Sequence, residues 1–189
     1  MELADRIKDI SKRHKLSHIG SCLSVLPILE DIYRTKGKED KVILDGAHAH
    51  LAHLVIREKY QGLQGIEDIL TREGIHCDRK AGCDASGGSL GHGLGIAIGL
   101  VLGGASKVHV IITDGSIMEG SNWEALRLIH DLELDQISIY CNFNGYTAVR
   151  EYNRDLLEKR IRSLVKDIKV YYTDNGDGLG GVQGHYKVL

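Results

Sequence analysis

Two apolar runs, KVHVIIT at 107–113 and QISIYC at 136–141, bracket a helix-like stretch from Glu119 to Leu132. This order constrains the fold more than any other feature of the chain. Each run reads as a buried strand, so the unit is strand, helix, strand. Such a unit forms a parallel pair, and both strands then end at the same edge of the sheet, where α/β sheets bind ligands.

After these strands stand Asp114-Gly115 and Asn144-Gly145, thirty positions apart. One carboxylate, one amide oxygen and nearby backbone carbonyls can converge at that edge. Oxygen donors of this kind suit a hard cation such as Mg2+, which in turn recruits phosphate oxygens. A metal-held diphosphate is one reading of the pair, and two ordinary turns after two strands is the other. Taken alone, Asn144-Gly145 is a turn signal.

Helical patterns cover roughly 2–15, 24–34, 48–60, 64–72, 89–103, 119–132 and 152–166, with strand candidates at 41–45, 107–113, 136–141 and 167–173. Helix and strand alternate. The expected fold class is therefore α/β, a three-layer αβα sandwich whose mainly parallel sheet is covered on both faces. Ser24 and Ser89 stand where helix N-caps are expected. The helix after Ser89 carries Gly91, Gly93, Gly95 and Gly99, which is unfavourable for an isolated helix. It is expected to pack closely against the sheet or another chain.

At 189 residues the chain suits one domain spanning 1–189. A net charge of -2 gives no electrostatic ground for nucleic-acid or membrane binding. No apolar run approaches the length that crosses a bilayer. The start, MELADRIKDISKRHK, has no apolar signal core and reads as an amphipathic helix. Cys22, Cys77, Cys83 and Cys141 lack framework spacing, so reduced thiols and a cytoplasmic location are expected.

Ten histidines is a high count, and His48, His50 and His53 fall together in AHAHLAH. His50 and His53 stand one helical turn apart, which suits a shared zinc ion, but no third and fourth ligand follow at matching spacing. Both are expected on the outer or subunit-facing side of their helix, and His14, His109 and His130 at the surface or a sheet edge. GGSLGHGLG at 87–95 has the order G-x-x-G-x-G and lacks a preceding strand and a suitably placed acid, which argues against a dinucleotide loop. Glu119 and Glu124 fall on different faces of their helix. Two solvated acids is the plain reading of them.

The motifs, taken in order, resemble the N-terminal, diphosphate-binding part of the transketolases. They are SHIGSCLS at 17–24, DGAHA at 45–49, GIHCD at 74–78, GGSLGHGLG at 87–95, TDGSIMEGSNWEA at 113–125, CNFNG at 141–145 and, more loosely, GDGLGGVQGHYKVL at 176–189. The resemblance implies thiamine diphosphate and Mg2+ as cofactors. It implies Asp114, Asn144 and the carbonyl of Tyr146 as metal ligands, with Gly115 allowing close approach of the diphosphate. The family usually has Gly-Asp-Gly where this chain has Thr113-Asp114-Gly115.

The same resemblance makes His18, His48, His76, Glu119 and Glu124 catalytic candidates and places His185 at the cofactor. The chemistry asks for such groups, because cleaving a ketose beside its carbonyl needs a proton taken from a hydroxyl and a developing charge stabilised. Gly88, Ser89, Leu90, Gly91 and His92 would form the turn and helix start facing the diphosphate, His92 replacing a frequent glutamine. Glu119 and Glu124 would lie near a dimer interface, where approaching carboxylates share protons.

The family's activating glutamate lies in a separate pyrimidine-binding domain, and nothing in this chain resembles that domain or the C-terminal one. The stretch 147–167 is also shorter than the family's. Two explanations follow. The chain is one subunit of a split transketolase acting on sugar phosphates, completed by a companion subunit with a pyrimidine-binding domain, in a homodimer or heterotetramer. Otherwise it is a shortened relative without catalysis, a regulatory or binding subunit. The same motifs would also serve a related synthase or a 2-oxo acid lyase.

Overall fold

In the computed structural model, which describes residues 2–147, 151–173 and 188, four strands form one parallel sheet. Their spatial order follows the chain: β1 (Lys41–Leu44), β2 (Val108–Thr113), β3 (Ile137–Phe143) and β4 (Ile168–Tyr172). The register sets Leu44 beside Ile111, Thr113 beside Asn142 and Phe143 beside Tyr172, so all four carboxyl ends share one edge.

Alternation along the strands divides the core in two. Val42, Leu44, Ile111 and Tyr140 face one cluster, while Ile43, Val110, Ile112, Ile139 and Cys141 face the other. The first cluster takes the apolar faces of α1 (Leu3–His14), α2 (Ile19–Thr35), α3 (His50–Gln61) and α4 (Ile66–Glu73). The second takes α5 (Gly93–Leu102), α6 (Gly120–Asp131) and α7 (Arg154–Arg162). The result is the expected αβα sandwich. Among the described residues no helix is long and apolar enough to cross a membrane.

Several local expectations are corrected. Ser24 is no N-cap: α2 starts five residues earlier, and the buried Ser24 hydroxyl donates to the Ser21 carbonyl and accepts from the Asn142 amide. Ser89 is no cap either, because α5 starts only at Gly93. The delay has a cause in Gly91, whose φ of 88° is left-handed and breaks any helix through it. Close packing around α5 comes from Gly91 and Gly93, not from Gly95 and Gly99, where an added Cβ would meet nothing within 4 Å.

Three histidines expected outside are inside. His109 is 6% exposed on β2, set 3.2 Å from the Tyr140 hydroxyl and 3.2 Å from Asp40. Burial holds its imidazole below the usual range, against the pull of Asp40. His50 and His53 are buried on α3. Their partners lie 20 to 33 positions away in sequence, which is why a local reading places them on the surface.

Candidate functional site

The carboxyl edge of the sheet is organised around Asp114, the residue that follows β2. It is 1% exposed, yet its carboxylate accepts three consecutive backbone N–H groups from the turn after β3. Oδ2 receives Asn144 at 2.9 Å, Gly145 at 2.6 Å and Tyr146 at 3.2 Å, and Oδ1 also receives Asn144 at 3.2 Å. A φ of 88° at Gly145 curls the turn so that these amides converge on one acceptor. Asn144 Oδ1 accepts the Tyr146 N–H at 2.9 Å, so the side chains of Asp114 and Asn144 meet over the same turn.

Burial pushes the Asp114 carboxyl up to about 7, even though the surrounding backbone N–H groups favour its charged form. Ionising a carboxylate there is costly, and a divalent cation on its remaining lone pairs would offset that cost. With Asn144 Oδ1 and the Tyr146 carbonyl, the available donors are all oxygen. That donor set fits Mg2+.

A cleft opens over these strand ends, lined by Ser21, His48, Leu90, Asp114, Asn144 and Tyr146 among others. His48 sits in a short 3-10 turn, Ala47–Ala49, just beyond β1. Its ring lies 4.8 Å from that of His18, the residue before α2, which adopts a left-handed φ of 64°. A non-glycine residue in that region carries strain of about 1–3 kcal/mol, a feature that gathers at functional sites. The Ser17 hydroxyl lies 2.7 Å from His18 Nδ1 and steadies the ring.

The remaining candidates are distributed unevenly. Leu90 and Gly115 line the cleft. Gly115 has an ordinary helical φ of -68°, so any need for glycine there is one of space. His76 is exposed and lies beside Gly88, whose missing Cβ would stand 3.8 Å from the ring. Ser89 and His92 face solvent. Glu119 sits under Gly91, where a Cβ would fall 2.5 Å from its own Cβ. Glu124 points to solvent and pairs with Arg127 and is not brought to the cleft in the single chain. His185 lies outside the described residues.

Two contributors were not singled out from the sequence. Asp45, 3% exposed at the end of β1, accepts the backbone N–H groups of Gly91, His92 and Gly93 on Oδ1 at 2.9 to 3.0 Å. Its Oδ2 accepts the Asn122 amide at 2.7 Å. Asp45 thus caps α5 from another strand and fixes the glycine-rich turn over the cleft. Its signal was legible as a carboxylate directly after an apolar strand, the same signal that marked Asp114. Asn142, buried in β3, joins Ser24 to Thr173 through its amide. An amide inside an apolar run was its only signal.

These features define a class, an α/β domain with its ligand cleft at the carboxyl edge of a parallel sheet. The sequence matches the family model for 1-deoxy-D-xylulose-5-phosphate synthase, N-terminal part, over residues 2–170. The chain belongs to the transketolase family and corresponds to its N-terminal, thiamine-diphosphate-binding domain. It is 28% identical to one subunit of the apulose-4-phosphate transketolase of Actinobacillus succinogenes, over 74% of this chain and 58% of that one. It is 30% identical to the 6-deoxy-6-sulfo-D-fructose transketolase subunit SqwG of a Clostridium species, over 70% and 58%. A transketolase structure from Leishmania mexicana superposes with a TM-score of 0.72 at 17% identity, covering 90% of this chain and 36% of that one. The chain thus spans little more than half the length of the two subunits it matches.

Proposed function

We propose that this chain is the diphosphate-binding subunit of a split, thiamine-diphosphate-dependent transketolase that moves a two-carbon ketol unit between sugar phosphates. One observation carries the reading. Asp114 and Asn144, from adjacent strand ends, share one turn in the cleft that His48, set beside His18, also lines.

In this reading Asp114, Asn144 and the Tyr146 carbonyl hold Mg2+, and the metal holds the diphosphate. Gly115 and the turn from Gly88 to His92 wall the diphosphate side, with Asp45 fixing that turn from below. When bound, the cofactor supplies the carbanion chemistry, and the protein supplies position and proton movement. His48, backed by His18, takes and returns the proton of a substrate hydroxyl, a task imidazole performs near neutral pH. His76, exposed beside Gly88, is assigned to the incoming sugar. His185, outside the described residues, is the remaining candidate for a cofactor contact.

A companion subunit completes the enzyme with the pyrimidine-binding domain and its activating glutamate. The naming of the relatives as subunits supports this. Glu119 and Glu124 then belong to an interface between chains, and residues 1–189 form one domain shortened at 147–167. A related synthase is the second reading, favoured by the family model matched.

Calorimetric titration of thiamine diphosphate with Mg2+ tests the proposal, with and without the companion and beside Asp114→Ala. The expected result is binding that tightens with the companion and falls at least 100-fold in the variant, about 3 kcal/mol. Absence of binding under both conditions would overturn it in favour of a non-catalytic subunit.

A further inference from the structure

The polar groups buried in the first core have no place in the cofactor site. His50 opens α3, and His53 follows one turn later on the same face. Cys77 and Cys83 belong to the loop after α4. All four are buried, at 0%, 2%, 4% and 7% exposure. Cys83 Sγ lies 3.6 Å from His50 Nε2 and 3.8 Å from His53 Nδ1. The ligand atoms of His50, Cys77 and Cys83 all lie within 4.8 Å of one another. We propose that His50, His53, Cys77 and Cys83 bind one structural Zn2+ ion.

The distances from Cys83 to the two imidazoles suit that ion; His50, Cys77 and Cys83 form its compact core, and His53 joins through Cys83. Zinc bonds of about 2.3 Å to sulfur and 2.0–2.1 Å to nitrogen, in a tetrahedron, separate neighbouring sulfur and nitrogen ligands by about 3.6 Å. Two imidazoles and two thiolates form a complete tetrahedral set. Four protein ligands leave no open position, so the ion is structural and takes no part in the chemistry of the cleft.

The surroundings orient the donors. His53 presents Nδ1 to the cluster while its Nε2 lies 2.6 Å from the Tyr33 hydroxyl. His50 presents Nε2 and turns Nδ1 to the Gly74 carbonyl at 3.4 Å. Metal-bound histidines use their second nitrogen in this way, and the partner fixes which nitrogen is left for the metal.

The loop is shaped to return the second cysteine. A 3-10 turn, Arg79–Ala81, follows Cys77, and Gly82 then reverses the chain at a φ of 75°. The Cys83 N–H donates to the Asp78 carbonyl at 3.2 Å, and Arg57 of α3 donates to the Ala81 carbonyl at 3.0 Å. The missing third and fourth ligands of the AHAHLAH segment are therefore supplied by a loop 24 to 33 positions onward.

The ion would fasten this loop to α3. Cys77 donates its N–H to the Ala47 carbonyl at 3.1 Å, and its own carbonyl accepts that of Gly87 at 2.9 Å. His76 and the glycine-rich turn are thus anchored within one residue or one hydrogen bond of a ligand.

The test is metal analysis of the full chain, purified without added metal or chelator, with thiols counted under denaturing conditions. One zinc per chain is expected, with all four thiols reactive after its release. Replacement by Co2+ should give thiolate-to-metal charge-transfer bands and the intense visible absorption of a tetrahedral site. Cys83→Ser should lower the zinc content and remove part of the charge-transfer intensity. Tyr33→Phe, which leaves all four ligands, should weaken zinc affinity about 10- to 100-fold without changing stoichiometry. A reduced, folded parent that holds no zinc and takes up neither Zn2+ nor Co2+ would overturn the proposal. A Cys77–Cys83 disulfide in freshly isolated protein, or a Co2+ spectrum without thiolate bands, would do the same. None of these readouts depends on thiamine diphosphate, so the zinc proposal and the transketolase reading stand or fall separately.

Discussion

Asp114 and Cys83 each anchor a buried polar cluster, but the two clusters are built by different routes. The first gathers oxygen donors where neighbouring parallel strands end, and the sheet register alone brings Asp114 beside the turn at Asn144. The second gathers nitrogen and sulfur donors from one helix turn and a loop, with no shared strand to align them. The first lies at the edge of the cleft and the second deep in the core. Hard oxygen donors suit Mg2+, which in turn takes phosphate oxygens that must come and go, and enclosed thiolate and imidazole donors suit an ion that stays. Strand ends thus serve exchange, and helix-to-loop staples serve rigidity.

The sharpest way to break this comparison is to titrate the strand-end site without metal. The Asp114 carboxyl stands at about 7 in the folded chain against an ordinary 3.8. A raised value means that its contribution to stability is full below about pH 4 and is lost as the pH rises through about 7. Asp114→Asn cannot ionise and should flatten the profile. In chelator, urea unfolding should find parent and variant similar near pH 4, with the parent weaker by about 4 kcal/mol near pH 8. Equal slopes for the two proteins would show that the carboxylate is not held in a cation-hungry setting.

The next effect concerns the scaffold under the cleft. Asp45→Ala removes the acceptor of three backbone N–H groups and of the Asn122 amide. Each buried donor left unpaired costs about 1–3 kcal/mol, and local water would recover part, so a loss of about 3 kcal/mol is expected in denaturant unfolding. Asp45→Asn should recover part of it. A loss below about 0.5 kcal/mol would mean that the turn holds itself.

Gly91→Ala should cost somewhat less, about 2 kcal/mol, through its φ of 88° and the Cβ forced to 2.5 Å from Glu119 Cβ. The glycine turn should move with it, so cofactor affinity should fall together with the melting temperature. A full loss of melting temperature with unchanged affinity would separate this turn from the cofactor.

These contrasts also show what the chain discloses before folding. The strands were legible to within two residues because continuous apolar runs allow little else, and the αβα layering followed from their alternation with helices. Asp114 and Asn144 were legible because each follows its strand directly. Asp45 follows a strand too, but its partners lie 46 to 48 positions on, and no local signal joins them. The delayed start of α5 was hidden for a related reason, since glycine at 91 could have been helical until its φ was known. His50, His53 and His109 read as surface residues because a buried histidine is recognisable only by the groups that satisfy it. Tyr33, Cys83, Tyr140 and Asp40 are all brought to them by tertiary packing.

The smallest expected effect concerns Glu124, a site candidate that the single chain does not bring to the cleft. Glu124 is exposed and paired on its own helix with Arg127, and the pair draws its carboxyl below the usual range. Exposed pairs of this kind are screened by water and salt. Glu124→Gln should therefore leave the melting temperature of the isolated chain unchanged. The same substitution in the assembly with the companion distinguishes the two roles open to this carboxylate. If α6 meets another chain there, burial at the interface magnifies the loss of charge, and the dissociation constant of the assembly should rise several-fold. If it rises by less than twofold, Glu124 is a solvated residue whose ion pair is confined to α6, and the interface assigned to this face must lie elsewhere.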